Sequence, residues 1–122
     1  MDRRKPTGQM LGRFQPWHRG HQELFKRILA DTGQVVIMIR EMEIDKNNPF
    51  SGGQVSESIH SNLQNEGFTY GKEYTIMSVP NIVNIGYGRD VGYQITQYDL
   101  GEEIHSISAT KIRKEYNDTN KC

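Results

Sequence analysis

A run of five consecutive apolar residues, Val35-Val36-Ile37-Met38-Ile39, constrains this chain more than any other feature of its sequence. Mostly β-branched and short, the run suits a strand covered on both faces, the condition of a strand inside a parallel sheet. Residues 8–14 (GQMLGRF) read as a short first strand, closed by Gln15-Pro16-Trp17 because proline disfavours a helical backbone in the residue before it. Leu24, Phe25, Ile28 and Leu29 then recur at helical spacing and Thr32-Gly33 supplies a stop, which predicts a helix over residues 20–31. Strand, helix and buried strand make a βαβ unit with a right-handed crossover.

Residues 41–53 are polar, with Asn47-Asn48-Pro49 and Gly52-Gly53, and read as a mobile loop. Val55, Ile59 and Leu63 line one stripe of a second helix that ends at Gly67, and residues 74–79 (YTIMSV) form a third strand stopped by Pro80. Residues 82–87 and 93–98 are read as a fourth and a fifth strand, though Gly86, Gly88 and Gly92 blur their bounds. Ala109, Ile112 and Tyr116 mark a short terminal helix with Ser108 as N-cap, before a polar tail from about Asn117. The expectation is one α/β domain over residues 1–122, with a mostly parallel sheet of about five strands. In such sheets ligands sit outside the carboxyl ends of the strands, so the loop after the first strand and the loop before the last helix matter most.

Composition narrows the function. The chain has 15 basic and 15 acidic side chains, so it lacks the basic excess of a protein built to hold a nucleic-acid polymer. Its one Cys, Cys122, excludes an intrachain disulfide and a Cys-rich zinc site, and fits a reducing, cytoplasmic setting. No apolar stretch reaches the roughly 18 residues of a membrane span, and no apolar core follows the charged start as in a signal peptide. With only 34% hydrophobic residues the core is thin, and a homodimer is expected to complete it.

The loop after the first strand reads Gly12-Arg13-Phe14-Gln15-Pro16-Trp17-His18-Arg19-Gly20-His21. His18 and His21 stand three apart at a helix start, so both rings face the positive end of the helix dipole, and Gly20 lets an anion approach the backbone. Alone, a His-x-x-His pair is most often a coincidence on a solvated helix. The later loop, Ser108-Ala109-Thr110-Lys111-Ile112-Arg113, places cations in the first turns of a helix, where only an anion would reconcile them with the dipole. Alone it is as readily an ordinary capped surface helix.

Together, His18-x-Gly20-His21 after a Gly-x-Phe strand end and Ile107-Ser108-x-Thr110-x-x-Arg113 near the C-terminus resemble the HxGH and ISxTxxR signatures of the nucleotidylyltransferase superfamily. Gly12-Arg13-Phe14-Gln15-Pro16 with Asn48-Pro49-Phe50 looks like the archaeal type of nicotinamide-mononucleotide adenylyltransferase. The short length and the Ser-Ala-Thr-Lys-Ile-Arg ending look like glycerol-3-phosphate cytidylyltransferase. The resemblance implies a Rossmann-like three-layer fold and transfer of AMP or CMP from ATP or CTP to a small phosphate-bearing acceptor, with Mg²⁺ and without a covalent enzyme intermediate. It implies His18, His21 and Arg113 as catalytic residues and Gly12, Arg13, Phe14, Gly20, Ser108 and Thr110 as nucleotide-binding. Lys46 is expected as a lid residue over the phosphates and Arg89 as a contact to base or ribose, each with an ordinary surface charge as its bland counterpart. No residue is assigned as a metal ligand.

The chain departs from the pattern in two places. Cytidylyltransferases usually carry Asp where Gln15 stands, which tilts the donor toward ATP. The arginine that follows Asn-Pro-Phe in adenylyltransferases is absent at Gln54-Val55, and Arg40 or Arg89 is a candidate to replace it. That gap sustains an alternative reading as a catalytically silent nucleotide-binding module. A metal-dependent phosphohydrolase would need a third ligand beside His18 and His21, and the spacing of His60 and His105 recommends neither.

Overall fold

The computed structural model describes residues 1–89 and 92–101. Its elements run β1 (Gly8–Gly12), α1 (Arg19–Thr32), β2 (Val35–Arg40), α2 (Gly52–Asn65) and β3 (Tyr74–Val79). The strands form a parallel sheet in the order β1-β2-β3, with Met10 opposite Ile37 and Ile37 opposite Ile76. The two βα crossovers are those the apolar run of β2 demanded.

Alternation along the strands decides where the core sits. Val35, Ile37 and Ile39 of β2, with Met10 and Tyr74 beside them, are buried in one cluster with Phe25 and Ile28 of α1 and Val55, Ile59 and Leu63 of α2. Each such side chain contributes roughly 1.5–3 kcal/mol on burial. The two helices are tied to each other by a Lys26–Glu66 ion pair at 2.8 Å and by Gln22 Nε2 donating to the Asn62 carbonyl at 3.2 Å. Strand β1 lies so close to α1 that a Cβ at Gly8 would stand 2.2 Å from Ile28 Cγ2. Helix α1 stops at Gly33, whose φ of 88° is the left-handed cap that glycine adopts without strain.

Two expectations need correction. Strand β1 ends at Gly12 rather than Phe14, because Phe14 itself adopts a φ of 52° and leaves the extended region. Residues 82–87 and 93–98 are not strands, so the sheet has three strands among the described residues rather than about five. Val83, Ile85 and Tyr87 alternate as a strand would, yet they stand 79%, 63% and 65% exposed. Alternation becomes a strand only where another backbone accepts its ladder. The sheet face opposite the helices carries Leu11, Met38 and Met77, and no helix among the described residues covers it. The expected terminal helix lies outside the described residues.

Candidate active site

At the carboxyl end of β1 the chain turns sharply into α1, and the turn builds a shelf of aromatic rings. Phe14, buried despite its left-handed backbone, packs its ring at 5.1 Å from Trp17 and edge-on at 5.0 Å against His21. A bulky residue at positive φ stores strain of about 1–3 kcal/mol, held here by the burial of its ring. Gly12 makes room for that ring, since a Cβ there would meet Phe14 Cε1 at 2.9 Å. Trp17 is a core residue: its Nε1 donates to Gln22 Oε1 at 2.6 Å, and its ring lies 5.4 Å from His21.

On this shelf His18 and His21 close the start of α1. His18 is the N-cap, with extended backbone, and its Nδ1 accepts from the Gly20 amide at 3.0 Å. His21 reaches back so that its Nδ1 accepts from the His18 amide at 3.1 Å. This is a capping box in which two imidazoles replace the usual Ser/Thr and Glu/Gln pair. The rings stack 3.9 Å apart at 25°.

The tautomers follow from the caps. An Nδ1 that accepts from an amide carries no proton, so each ring is neutral and holds its hydrogen on Nε2. Burial, and then the neighbouring His18, push His21 down to about 3, and burial alone lowers His18. At neutral pH the pair therefore offers two Nε2–H donors at a helix N-terminus and no net charge. That arrangement can grip the oxygens of an anion by hydrogen bonds. The Gly20 amide is taken by His18, so this residue serves the site through the cap.

A second strand-end loop is drawn to the first by one side chain. Gln15, buried in the cis Gln15–Pro16 turn, accepts from the Phe50 amide and donates to the Phe50 carbonyl, each at 2.9 Å. Upstream, Asp45 Oδ1 accepts from the Asn47 and Asn48 amides, both at 2.8 Å, an Asx turn that holds Lys46 exposed at its tip. The Asn47 amide leads the contacts that keep the Asp45 carboxyl below its usual range, with Arg13 a smaller contributor. A cavity of about 410 Å³ opens between Phe14, Trp17, Phe50 and the Glu57, Ser58 and Ser61 side of α2.

Of the expected site residues, the structure thus brings together Gly12, Phe14, His18, Gly20 and His21, with Arg13 half-buried beside them in the chain. Arg89 lies exposed in the irregular stretch after β3, and no described contact joins it to the histidines. Ser108, Thr110 and Arg113 lie outside the described residues, as does His105. His60, the other spare histidine, is spoken for at the far end of the sheet, with Nδ1 2.9 Å from the Tyr74 hydroxyl. Sequence reasoning missed the Gln15 clamp and the Gln22 bond to Asn62, which reach 35 and 40 residues along the chain and leave no local signal.

Comparison with known proteins places this geometry. The chain is 35% identical to a nicotinamide-nucleotide adenylyltransferase of Thermoplasma acidophilum over 66 residues, 52% of this chain and 37% of that protein. It is 38% identical to the enzyme of the same name from Picrophilus torridus over 60 residues, 48% of this chain and 36% of that one. It matches a crystal structure of a bifunctional NMN adenylyltransferase/ADP ribose pyrophosphatase from Francisella tularensis, complexed with AMP and an Mn ion. That match has a TM-score of 0.58 and 29% identity, over 62% of this chain and 23% of the other. The chain thus spans just over a third of the length of these curated relatives. The sheet, its helices and the matched segment agree on a Rossmann-like nucleotidylyltransferase fold. Residues 10–76, which carry the histidine cap, all of β2 and parts of β1 and β3, match the cytidylyltransferase-like family model, and the chain belongs to that family.

Proposed function

We propose that this chain transfers a nucleotidyl group, AMP from ATP in the first instance, to a small phosphate-bearing acceptor. The observation that carries this reading is the reciprocal histidine cap, which aims two neutral Nε2–H groups from a helix N-terminus. The relatives' names support the adenylyl donor and suggest a mononucleotide acceptor. Gln15 supports the same side, because its amide holds Phe50 by both a donor and an acceptor, and an Asp there would have only acceptors.

In the proposed step an acceptor phosphate oxygen forms a bond to the α-phosphorus while the bond from that phosphorus to the oxygen bridging to the β-phosphorus breaks, and pyrophosphate leaves. The protein's work is orientation and stabilisation of charge on the phosphoryl oxygens. His21 donates to the α-phosphate as negative charge builds, and His18 to the β and γ groups. Ser108, Thr110 and Arg113 would hold the same groups from the second helix start. Among the described residues no three His, Cys, Asp or Glu side chains gather into a metal-holding group. A divalent cation such as Mg²⁺ would neutralise charge on the triphosphate oxygens. The cytoplasm and a homodimer complete the proposal.

A silent nucleotide-binding module is the second reading, favoured by Gln54. The residue near the expected arginine is instead committed to the α2 capping box, its Oε1 accepting from the Ser51 amide at 2.8 Å. Pyrophosphate release in the presence of Mg²⁺, with ATP or CTP and nicotinamide mononucleotide or glycerol 3-phosphate, separates the two. Release that depends on acceptor, with His21→Ala lowering kcat at least about 10²-fold, is the expected result. Triphosphate binding with no release from any pair supports the module, and release of inorganic phosphate alone overturns both.

A further inference from the structure

Gln22, the residue after His21, is 7% exposed, and both polar atoms of its amide are bonded. Its Oε1 accepts from Trp17 Nε1 at 2.6 Å, and its Nε2 donates to the Asn62 carbonyl at 3.2 Å. Trp17 is 5% exposed, so its one side-chain donor has to find an acceptor inside the protein. Asn62 stands in the last turn of α2, among the four carbonyls for which a helix runs short of amides. A carboxamide meets both demands at once, with an acceptor for the indole and a donor for the carbonyl.

The consequence lies in what the indole touches. Its ring is 5.4 Å from that of His21 at 33°, and the His18 ring is 3.9 Å from His21 at 25°, so the His21 imidazole runs close to parallel with both. Phe14 meets the same imidazole edge-on at 5.0 Å. The bond from the His18 amide to His21 Nδ1 fixes one point of the ring, but a single bond leaves the plane free to turn about it. The packed rings remove that freedom, and the plane decides where Nε2–H points. The indole is in turn held by its bond to Gln22, so a chain of contacts runs from α2 through Gln22 and Trp17 to His21.

We propose that Gln22 is a positioning residue for the transfer, which aims the His21 Nε2–H by fixing the Trp17 indole against α2. The assignment rests on the transfer reading above. Gln22 acts through Trp17, and a donor turned away from the developing charge weakens the transition state more than the bound substrate. The loss therefore falls on kcat rather than on KM.

Trp17 is the single tryptophan of the chain, so one indole signal reports the bond. Gln22→Leu fills similar space without polar atoms. In nitrogen NMR it is expected to shift both Trp17 Nε1–H and His21 Nε2–H while His21 Nδ1 stays unprotonated. In pyrophosphate release with ATP, Mg²⁺ and nicotinamide mononucleotide or glycerol 3-phosphate, kcat is expected to fall at least about tenfold with KM for ATP within about threefold. Trp17→Phe keeps a ring beside His21 without the indole N–H, and carries the same expectation for kcat and His21 if Gln22→Leu does not fold. In the Trp17→Phe background Gln22→Leu costs no further kcat, because two residues acting through one path are not additive. Wild-type kcat in folded Gln22→Leu, a His21 Nε2–H signal that neither variant moves, or kcat losses that multiply in the double variant overturns the assignment. Absence of pyrophosphate release from the wild type removes the transfer, and a His21 signal that moves in Gln22→Leu then still shows that Gln22 orients the imidazole.

Discussion

Neither imidazole of the α1 cap carries a charge at pH 7, and the reason is local: each Nδ1 already receives an amide hydrogen. Protonating either ring sets N–H against N–H and opens the cap. In the unfolded chain His21 titrates near 6.5, and in the folded chain near 3, so between these values the unfolded state binds more protons. The stability this residue contributes is complete above pH 6.5, falls as the pH drops through that window, and stops falling near 3. Urea denaturation of wild type and His21→Asn across pH 7 to 4 checks this, and the variant is expected to lose less stability on acidification. The His-x-Gly-His spacing made the pair legible in the sequence as an anion site. That the rings are themselves the helix cap was not legible, because that position is normally filled by Ser, Thr, Asp or Asn.

Among the elements, the strand-end turn and the loop before α2 act as one unit because Gln15 holds both polar groups of the Phe50 peptide. Gln15→Ala strips two part-buried backbone groups of their partner and is expected to cost about 1 kcal/mol for each. Equilibrium denaturation measures the loss, and the far-UV circular dichroism of the folded variant should stay close to that of the wild type because the clamp lies outside helix and strand. Strand β2 was legible from its five apolar, mostly β-branched residues, although the expected cover on both faces is found on one only among the described residues, where Val35, Ile37 and Ile39 are buried and Val36 and Met38 are half-buried. Strand β3 and helix α2 were legible through Pro80 and the Val55, Ile59, Leu63 stripe. Residues 82–87 carry a strand's alternation without a partner's ladder, and sequence spacing cannot tell these two situations apart. A cavity at the carboxyl ends of β2 and β3 left no local signal, since its walls come from two loops, two strand ends and the start of α2 that only the fold brings together.

For the molecule as a whole, a net charge of zero gives no overall attraction for an anionic ligand. Recognition is therefore short-range, through donors fixed at the strand ends, and it belongs to the folded state alone. ATP with Mg²⁺ should accordingly raise the stability of the fold, by about 2.7 kcal/mol at a hundredfold excess over Kd, and adenosine at the same concentration should raise it far less. A melting-temperature series over both ligands reads this difference. The central claim is that the start of α1 presents two neutral imidazoles, hydrogen on Nε2, to a polyphosphate. Nitrogen NMR of the ¹⁵N-histidine-labelled chain at pH 7, with and without ATP and Mg²⁺, tests it most directly. The account predicts unprotonated Nδ1 atoms in His18 and His21 and a change at both Nε2–H groups on saturation with ATP. A hydrogen on either Nδ1 in the free chain, or Nε2 signals indifferent to ATP, would contradict it.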